Sequence, residues 1–154
     1  MGERGESEDT AAAPRFAGLS LDRTRLMGVV NVTPDSFSDG GETLTPEAAV
    51  ARGLALLEDG ADIIDVGGES TRPGAAPPPV EEERDRVVEV VRALSRAGAL
   101  VSIDTRRPAV MRAAIDAGAR IVNDITALRD EEAMALVARA GASVVLMHMQ
   151  GEPG

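Results

Sequence analysis

The sequence contains no cysteine, lysine, tryptophan or tyrosine, and its single histidine is His148. Without cysteine there can be no disulfide, no cysteine-ligated metal and no thiol nucleophile. The absence of lysine excludes a Schiff-base nucleophile, and one histidine cannot form a multi-histidine metal site. Only two residues are aromatic, both phenylalanine, so the core must be built from Val, Leu, Ile, Ala and Met.

Long apolar runs and a positive net charge are also absent. No segment approaches 18 consecutive apolar residues, so we expect no membrane span. The formal net charge is −10, which does not suit nucleic-acid binding, because such binding depends on neutralising phosphates. We therefore expect neither a membrane nor a nucleic-acid partner.

The chain of 154 residues has the length of one domain, and 44% of its residues are hydrophobic. Residues 1–18 lack periodicity and are rich in Gly, Ala and acidic residues, so we predict a disordered acidic tail. This stretch also lacks the basic start and apolar run of a signal peptide. Together with the absence of cysteine, that favours a cytoplasmic protein.

From residue 19 onwards, short apolar runs alternate with stretches of helical periodicity. The apolar runs are typical of strands buried on both faces, as in parallel sheets. Five strands are predicted, at Leu26–Asn31, Ala61–Val66, Leu100–Asp104, Arg120–Asn123 and Ser143–His148. Four helices are predicted between them, at Thr45–Asp59, Val80–Ala97, Pro108–Ala117 and Asp130–Ala140.

Each predicted helix is followed by a Gly-Ala step into the next strand, at Gly60, Gly98, Gly118 and Gly141. Glycine is typical of a helix C-terminal cap, and the fourfold recurrence indicates repeated βαβ units. The pattern fits a flavodoxin-like doubly wound domain or part of a (β/α)8 barrel, which needs about 250 residues when complete. Because residues 150–154 read as the loop after the fifth strand, we expect about the first five βα units of a barrel.

Polar side chains stand at the carboxyl end of every predicted strand. They are Asn31, Asp65 with Glu69, Asp104, Asn123 with Asp124, and His148. Because ligands bind at this edge in parallel α/β proteins, the set predicts a binding site there.

The two longest strand-to-helix loops, residues 31–41 and 67–75, are rich in hydroxyls, amides and glycine. Such loops offer backbone N–H groups and oxygen ligands to an anion or to Mg²⁺. Arg72 is a bidentate donor suited to phosphate, and Phe37 can cover an aromatic substrate.

Four segments resemble, in order and spacing, the pterin-binding family, and within it the dihydropteroate synthases of folate biosynthesis. They are MGVVNVTPDSFSDGG, ADIIDVGGESTRPGA, VSIDTRRPAVMRAAIDAGARIVNDI and VVLMHMQGEPG. The resemblance covers residues 19–154, as the N-terminal part of the family's (β/α)8 barrel. It implies a transferase that joins 6-hydroxymethyl-7,8-dihydropterin diphosphate to p-aminobenzoate, giving 7,8-dihydropteroate and diphosphate.

The resemblance also implies roles for individual residues. Asn31 matches the residue that helps to hold Mg²⁺, the expected cofactor, together with the diphosphate. The matched substrate-binding positions comprise Thr71 and Arg72 near the diphosphate and aminobenzoate, Phe37 and Pro73 around the aminobenzoate ring, Asp104 and Asn123 as hydrogen-bonding partners of the pterin, and Ile125 and Met147 as apolar walls. No residue is assigned as a catalytic acid or base.

The family's site also uses a later Asp, a Lys in a Ser-Arg-Lys segment, and an Arg and a His, none of which has a counterpart here. We therefore expect a fragment that is inactive alone, from a family whose full-length members are homodimers. One alternative is a non-catalytic pterin-binding half-barrel that needs a partner chain. Another is a methyltetrahydrofolate-binding methyltransferase domain, against which the matches at Phe37 and residues 70–73 argue.

Several other charged residues have predictions of their own. Asp62 and the run Glu81–Glu83 are predicted to be solvated, and Arg106 and Arg107 are interpreted as a solvated helix entry. Asp124 is predicted to be a structural hydrogen-bonding residue beside Asn123.

Overall fold

A computed structural model describes residues 13–33, 45–69 and 77–148. The strands in these ranges are β1 (Arg15–Phe16), β2 (Leu19–Ser20), β3 (Met27–Asn31), β4 (Ile63–Gly67), β5 (Val101–Asp104), β6 (Ile121–Asp124) and β7 (Ser143–Leu146). The helices are α1 (Pro46–Glu58), α2 (Val80–Arg96), α3 (Pro108–Ala117) and α4 (Glu131–Ala140). None of these helices is long and apolar enough to cross a bilayer.

Strands β3 to β7 form one parallel sheet whose spatial order is the order of the chain. A doubly wound domain reverses its strand order at a switch point, and this sheet does not. With right-handed crossovers, an unreversed order places successive helices on the same face. Accordingly α1 packs on α2, α2 on α3, and α3 on α4. The partial barrel is therefore confirmed, and the flavodoxin-like alternative is wrong.

The hydrophobic core lies between this helical layer and one face of the sheet. Side chains alternate along each strand, so every second residue faces the helices. The strand residues in this core are Val30, Ile64, Val66, Val101, Ile103 and Val122. Helix α2 contributes Val87, Val90, Val91 and Leu94, each fully buried, as its apolar spacing predicts. The other face of the sheet, here called the inner face, carries the remaining strand side chains.

The helix ends follow the sequence signals closely. Thr45 accepts a hydrogen bond from the Ala48 N–H at 3.2 Å, and Pro46 is the first residue of α1. Asp130 accepts from the N–H groups of Glu132 and Ala133 at the start of α4. The four predicted cap glycines all have positive φ, which glycine adopts without steric cost. The βαβ repeat predicted from the Gly-Ala steps is thus confirmed.

Residues 15–18 depart from the predicted disordered tail, because they form a hairpin with residues 19–20. β1 and β2 pair antiparallel as a short hairpin, with Arg15 opposite Ser20. Both turn residues, Ala17 and Gly18, have positive φ, as a type I′ hairpin turn requires. Strands of two residues produce no periodicity, which explains why the sequence pattern gave no sign of them. Residues 1–12 of the predicted tail lie outside the described ranges.

Asp62 is not solvated, contrary to the prediction. Its carboxylate accepts hydrogen bonds from Arg23, Arg25 and the backbone N–H of Leu26, the last at 2.9 Å. The Arg23 guanidinium, followed by the Leu26 N–H, lowers the pKa of Asp62 to about 2. Asp62 therefore links the segment before β3 to the start of β4 through hydrogen bonds and ion pairs.

Gly118 and Gly60 provide a matched test of the helix ends. Both have φ above +100°, so alanine at either position brings backbone strain of about 1–2 kcal/mol. A Cβ on Gly118 would also lie 2.2 Å from Ser95 Oγ, whereas a Cβ on Gly60 meets nothing within 4 Å. We expect Gly118→Ala to lower the free energy of unfolding by a further 1–3 kcal/mol or so beyond Gly60→Ala. Urea unfolding followed by far-UV circular dichroism measures both, and equal losses would contradict the predicted clash.

Candidate functional site

The carboxyl ends of four neighbouring strands bring one row of residues together. Asn31 pairs in register with Gly67, Gly67 with Asp104, and Asp104 with Asn123. Residues paired in register project to the same side of a sheet, and this row belongs to the inner face. The structure therefore brings together Asn31, Asp104 and Asn123, as the positions of the strand ends predicted.

Gly67 keeps space open within this row. A Cβ placed on Gly67 would lie 3.4 Å from Asn31 Oδ1 and 3.5 Å from Asp104 Oδ2. A glycine inside a strand often marks the close approach of a ligand or of another backbone. Here it leaves room between an amide oxygen and a carboxylate oxygen that belong to different strands.

Asp104 is half-buried, and no described side chain donates a hydrogen bond to its carboxylate. Burial, followed by the charges of Asp65, Glu83, Asp124 and Glu69, raises the pKa of Asp104 to about 7. The group therefore changes protonation near neutral pH. A ligand that offers N–H donors or positive charge would favour the ionised carboxylate.

Asn123 is held from below by Asp65. The Nδ2 group of Asn123 donates to Oδ2 of Asp65 at 3.0 Å, and Asp65 is only 2% exposed. Oδ1 of Asp65 is buried without a hydrogen-bond partner among the described residues, as is Oγ of Ser102, the register neighbour of Asp65 on β5. Carboxylate, amide and hydroxyl groups thus form a polar layer one step deeper than the row.

The segments after β6 and β7 lie side by side at the same edge. Asp124 accepts from Thr126 N at 2.8 Å and from Leu128 N at 2.9 Å, so its predicted structural role is confirmed. Ile125 follows it and is half-buried. Met147 is 39% exposed, and its N–H donates to the Asp124 carbonyl at 3.2 Å. The two residues predicted as apolar walls therefore lie in adjacent segments beside Asn123.

Two ion-paired clusters join described segments beside the row, and sequence reasoning missed both. Glu69 pairs with Arg106 at 2.8 Å, joining the segment after β4 to the segment after β5. Glu83 is fully buried, accepts from Thr105 Oγ1 at 2.6 Å, and lies 3.2 Å from Arg107 Nη1. Desolvation raises the pKa of Glu83 above its ordinary value.

The predictions of solvation for Glu83 and Arg107 are thus corrected, whereas Arg106 is exposed, as predicted, although it pairs with Glu69. Glu83 occupies the same helix face as Val87 and Val90, four and seven residues later, and that spacing is the signal for its burial. Gly68 permits the close contact, because a Cβ there would lie 2.7 Å from Val87 Cγ1.

Four of the predicted site residues, Phe37, Thr71, Arg72 and Pro73, lie outside the described ranges. His148 is exposed just after β7. Within the described ranges, no group of three or more His, Asp or Glu side chains is placed to hold a metal ion. Asn31 offers an exposed amide as a possible oxygen ligand.

Comparison with known proteins agrees with this geometry. The family model for pterin binding enzymes matches residues 27–154. The dihydropteroate synthase of Mycobacterium leprae is 54% identical over 131 residues, which are 84% of this chain and 46% of that protein.

Two solved structures of Xanthomonas albilineans dihydropteroate synthase share the fold. The complex with 4-aminobenzoic acid is 56% identical, has a TM-score of 0.81, and matches 90% of this chain and 53% of that one. The complex with 7,8-dihydropteroate is 52% identical, has a TM-score of 0.76, and matches 89% of this chain and 52% of that one. The chain thus spans about half the length of these synthases. On the extent of the family match and the agreement of the folds, the chain belongs to the family of pterin-binding enzymes.

Proposed function

We propose that this chain carries the pterin- and diphosphate-binding part of a dihydropteroate synthase. The reaction condenses 6-hydroxymethyl-7,8-dihydropterin diphosphate with p-aminobenzoate, giving 7,8-dihydropteroate and diphosphate. The observation that carries the proposal is the row of Asn31, Gly67, Asp104 and Asn123 at the carboxyl ends of four strands. The names of the similar synthases and the ligands bound in their structures support it.

Asp104 and Asn123 are the proposed hydrogen-bonding partners of the pterin. The 2-aminopyrimidinone part of a pterin carries N–H donors, which suit the carboxylate of Asp104, and acceptors, which suit an amide N–H. Binding such donors favours the ionised form of Asp104 and so opposes the burial and the acidic neighbours that raise its pKa. Ile125 and Met147 are the proposed apolar walls of the pterin slot.

Asn31 is the proposed protein ligand of Mg²⁺. The open space at Gly67, bordered by Asn31 Oδ1, fits such an ion, since Mg²⁺ often keeps several waters and takes only one or two protein oxygens besides phosphate oxygens. Bound there, Mg²⁺ would neutralise charge on the diphosphate leaving group. Thr71 and Arg72 are proposed to meet the diphosphate and aminobenzoate region, and Phe37 and Pro73 the aminobenzoate ring.

The reaction class makes modest demands on acid–base groups. The diphosphate can leave the methylene carbon of the pterin substrate without help from a protein nucleophile. The aromatic amine then attacks that same carbon. The described residues would contribute by orienting the pterin. Their hydrogen-bond donors and acceptors already lie in position before the reaction, so the barrier is lowered without any rearrangement of these groups. An assay with both substrates and Mg²⁺ separates a synthase from a pterin-binding module, since the latter would bind pterin without turnover.

Pterin binding through Asp104 is the first test. We expect Asp104→Asn to weaken binding of 6-hydroxymethylpterin by roughly 10–100-fold, because a charge-assisted hydrogen bond is lost. The chain has no Trp or Tyr, so the fluorescence of the pterin can be followed without protein background.

For the unmodified chain, affinity should fall as the pH drops below about 7, since the carboxyl group is then protonated. Asp116→Asn, at an exposed position of α3, is the matched control and should bind normally. Failure of the unmodified chain to bind pterin would refute the proposed function.

Asp104→Asn, which should weaken pterin binding, should increase the stability of the fold. The pKa of Asp104 is about 7 in the folded chain and about 4 when unfolded, so ionisation opposes folding as the pH rises between these values. Asp104→Asn removes that cost, and the variant should be the more stable form at pH 8. The advantage should vanish below pH 4 or so, where both forms are neutral. Urea midpoints at the two pH values check this, and an equal difference at both would contradict it.

Gly67→Ala tests the proposed Mg²⁺ position. The added methyl group makes only van der Waals contacts with Asn31 and Asp104, so the fold should be retained while the open space is filled. We expect the Mg²⁺-dependent binding of inorganic diphosphate to weaken about tenfold or more, measured by calorimetry with and without Mg²⁺. Gly28→Ala adds the same methyl group on the helix-facing side, against Leu56, and should leave diphosphate binding unchanged. Unchanged binding in Gly67→Ala would place the ion elsewhere.

A further inference from the structure

The hydrogen bond between Asp65 and Asn123 fixes which way round the Asn123 amide lies. The carboxylate oxygen of Asp65 accepts this hydrogen bond, so the nitrogen of the amide, and not its oxygen, faces Asp65. The contact is 3.0 Å long and lies beneath the row of strand-end residues, where Asp65 is 2% exposed. Water therefore competes little with Asn123 for the Asp65 carboxylate.

We propose that Asp65 is a positioning residue that sets the specificity of the site through Asn123. It holds the amide in one orientation, so that the site selects a ring edge with an amino group beside an unprotonated ring nitrogen. The edge that it rejects has a carbonyl group beside a ring N–H. This inference rests on the proposed function, since it assumes that the site takes a pterin.

The hydrogen-bonding capacity left on Asn123 defines that edge. After one hydrogen has been donated to Asp65, the amide keeps its oxygen as an acceptor and a second hydrogen as a donor. An amino group beside a bare ring nitrogen presents the complementary donor and acceptor. Reversal of the amide would exchange the two roles and would match the carbonyl edge instead.

Asp104 strengthens the preference for an amino group. Its carboxylate is the register neighbour of Asn123, so two acceptors lie next to each other in the row. A ring amino group carries two N–H bonds on one nitrogen and can serve two neighbouring acceptors. Above pH 7 or so, where Asp104 is ionised, a carbonyl oxygen in the same place would face the carboxylate without a hydrogen between them, which is unfavourable.

The surroundings of Asp65 indicate a role beyond packing. One of its oxygens is buried without a hydrogen-bond partner among the described residues. A buried carboxylate with incomplete hydrogen bonding is costly, and an apolar residue of similar size would fill the same space at lower cost. The hydrogen bond to Asn123 is what an apolar residue could not provide.

The test compares pterin with lumazine. Pterin has an amino group at position 2 beside an unprotonated N1, whereas lumazine has a carbonyl group at position 2 beside an N1–H. Equilibrium dialysis gives the affinity of each for the full chain, its Asp65→Asn form and its Ser102→Ala form. In Asp65→Asn the new amide can pair with Asn123 in either orientation. We expect its preference for pterin over lumazine to fall about tenfold, the worth of one hydrogen bond of this kind. Ser102→Ala removes the neighbouring buried hydroxyl and should keep the preference.

A double-mutant cycle identifies the route of the effect. In an Asn123→Ala background, Asp65→Asn should cause no further change in the ratio, because its effect acts through the missing amide. An unchanged ratio in Asp65→Asn, or the same loss in both backgrounds, would overturn the inference while leaving the proposed function intact. If the unmodified chain binds neither compound, the proposed function fails, and the inference fails with it.

Side-chain amide NMR provides a test that needs no folded Asp65 variant. The chain has two asparagines and one glutamine, so only three side-chain amide pairs are expected. The Asn123 pair, assigned by its loss in Asn123→Ala, should contain one hydrogen protected from exchange with solvent. Two hydrogens that exchange as freely as those of an exposed amide would overturn the inference.

Discussion

The register between β3, β4, β5 and β6 decides which side chains meet at the edge of the sheet. A slip of one residue in any of these strands would turn its polar residue towards the helices and a valine, isoleucine or similar residue towards the inner face. The buried side chains of the helix-facing core make such a slip unfavourable, because they would lose their contacts with α2. The hydrophobic core on the helix-facing side of the sheet thus fixes the position of the polar row on the inner face.

The site has a high density of negative charge. The charges of Asp65, Glu69, Glu83 and Asp124 all raise the pKa of Asp104, while Arg106 and Arg107 pair with the two glutamates at the edge. Among the described residues, Asp104 has no cationic partner of its own. A ligand with N–H donors would supply hydrogen bonds to the Asp104 carboxylate. Its binding would therefore also stabilise the folded domain.

Much of the fold could be predicted because its signals are local. Pro46 and Pro108 mark helix starts, the glycine of each Gly-Ala step marks a helix end, and the strand ends follow from the same alternation. Asn31, Asp104 and Asn123 were predicted together for that reason. Gly67 and Asp65 gain their importance only from register pairs and a hydrogen bond across strands, which the sequence does not display.

The errors share a physical origin as well. Asp62 was predicted to be solvated at the amino end of a strand, and Glu83 within an acidic run, yet their partners are far away in the chain. Arg23 lies 39 residues before Asp62, and Thr105 lies 22 residues after Glu83. Local composition predicts exposure well for side chains that have no such partner, and it fails where a distant arginine or hydroxyl completes a buried pair.

The agreement between strand order and chain order also affects how the domain can form during synthesis. Each new strand pairs with the one made just before it, so the sheet can grow from one edge as residues leave the ribosome. Within the described sheet, no strand has to wait for a distant segment before it finds its neighbour, which keeps loop-closure distances short. The row from Asn31 to Asn123 spans β3 to β6 and is therefore complete before β7 has joined the sheet.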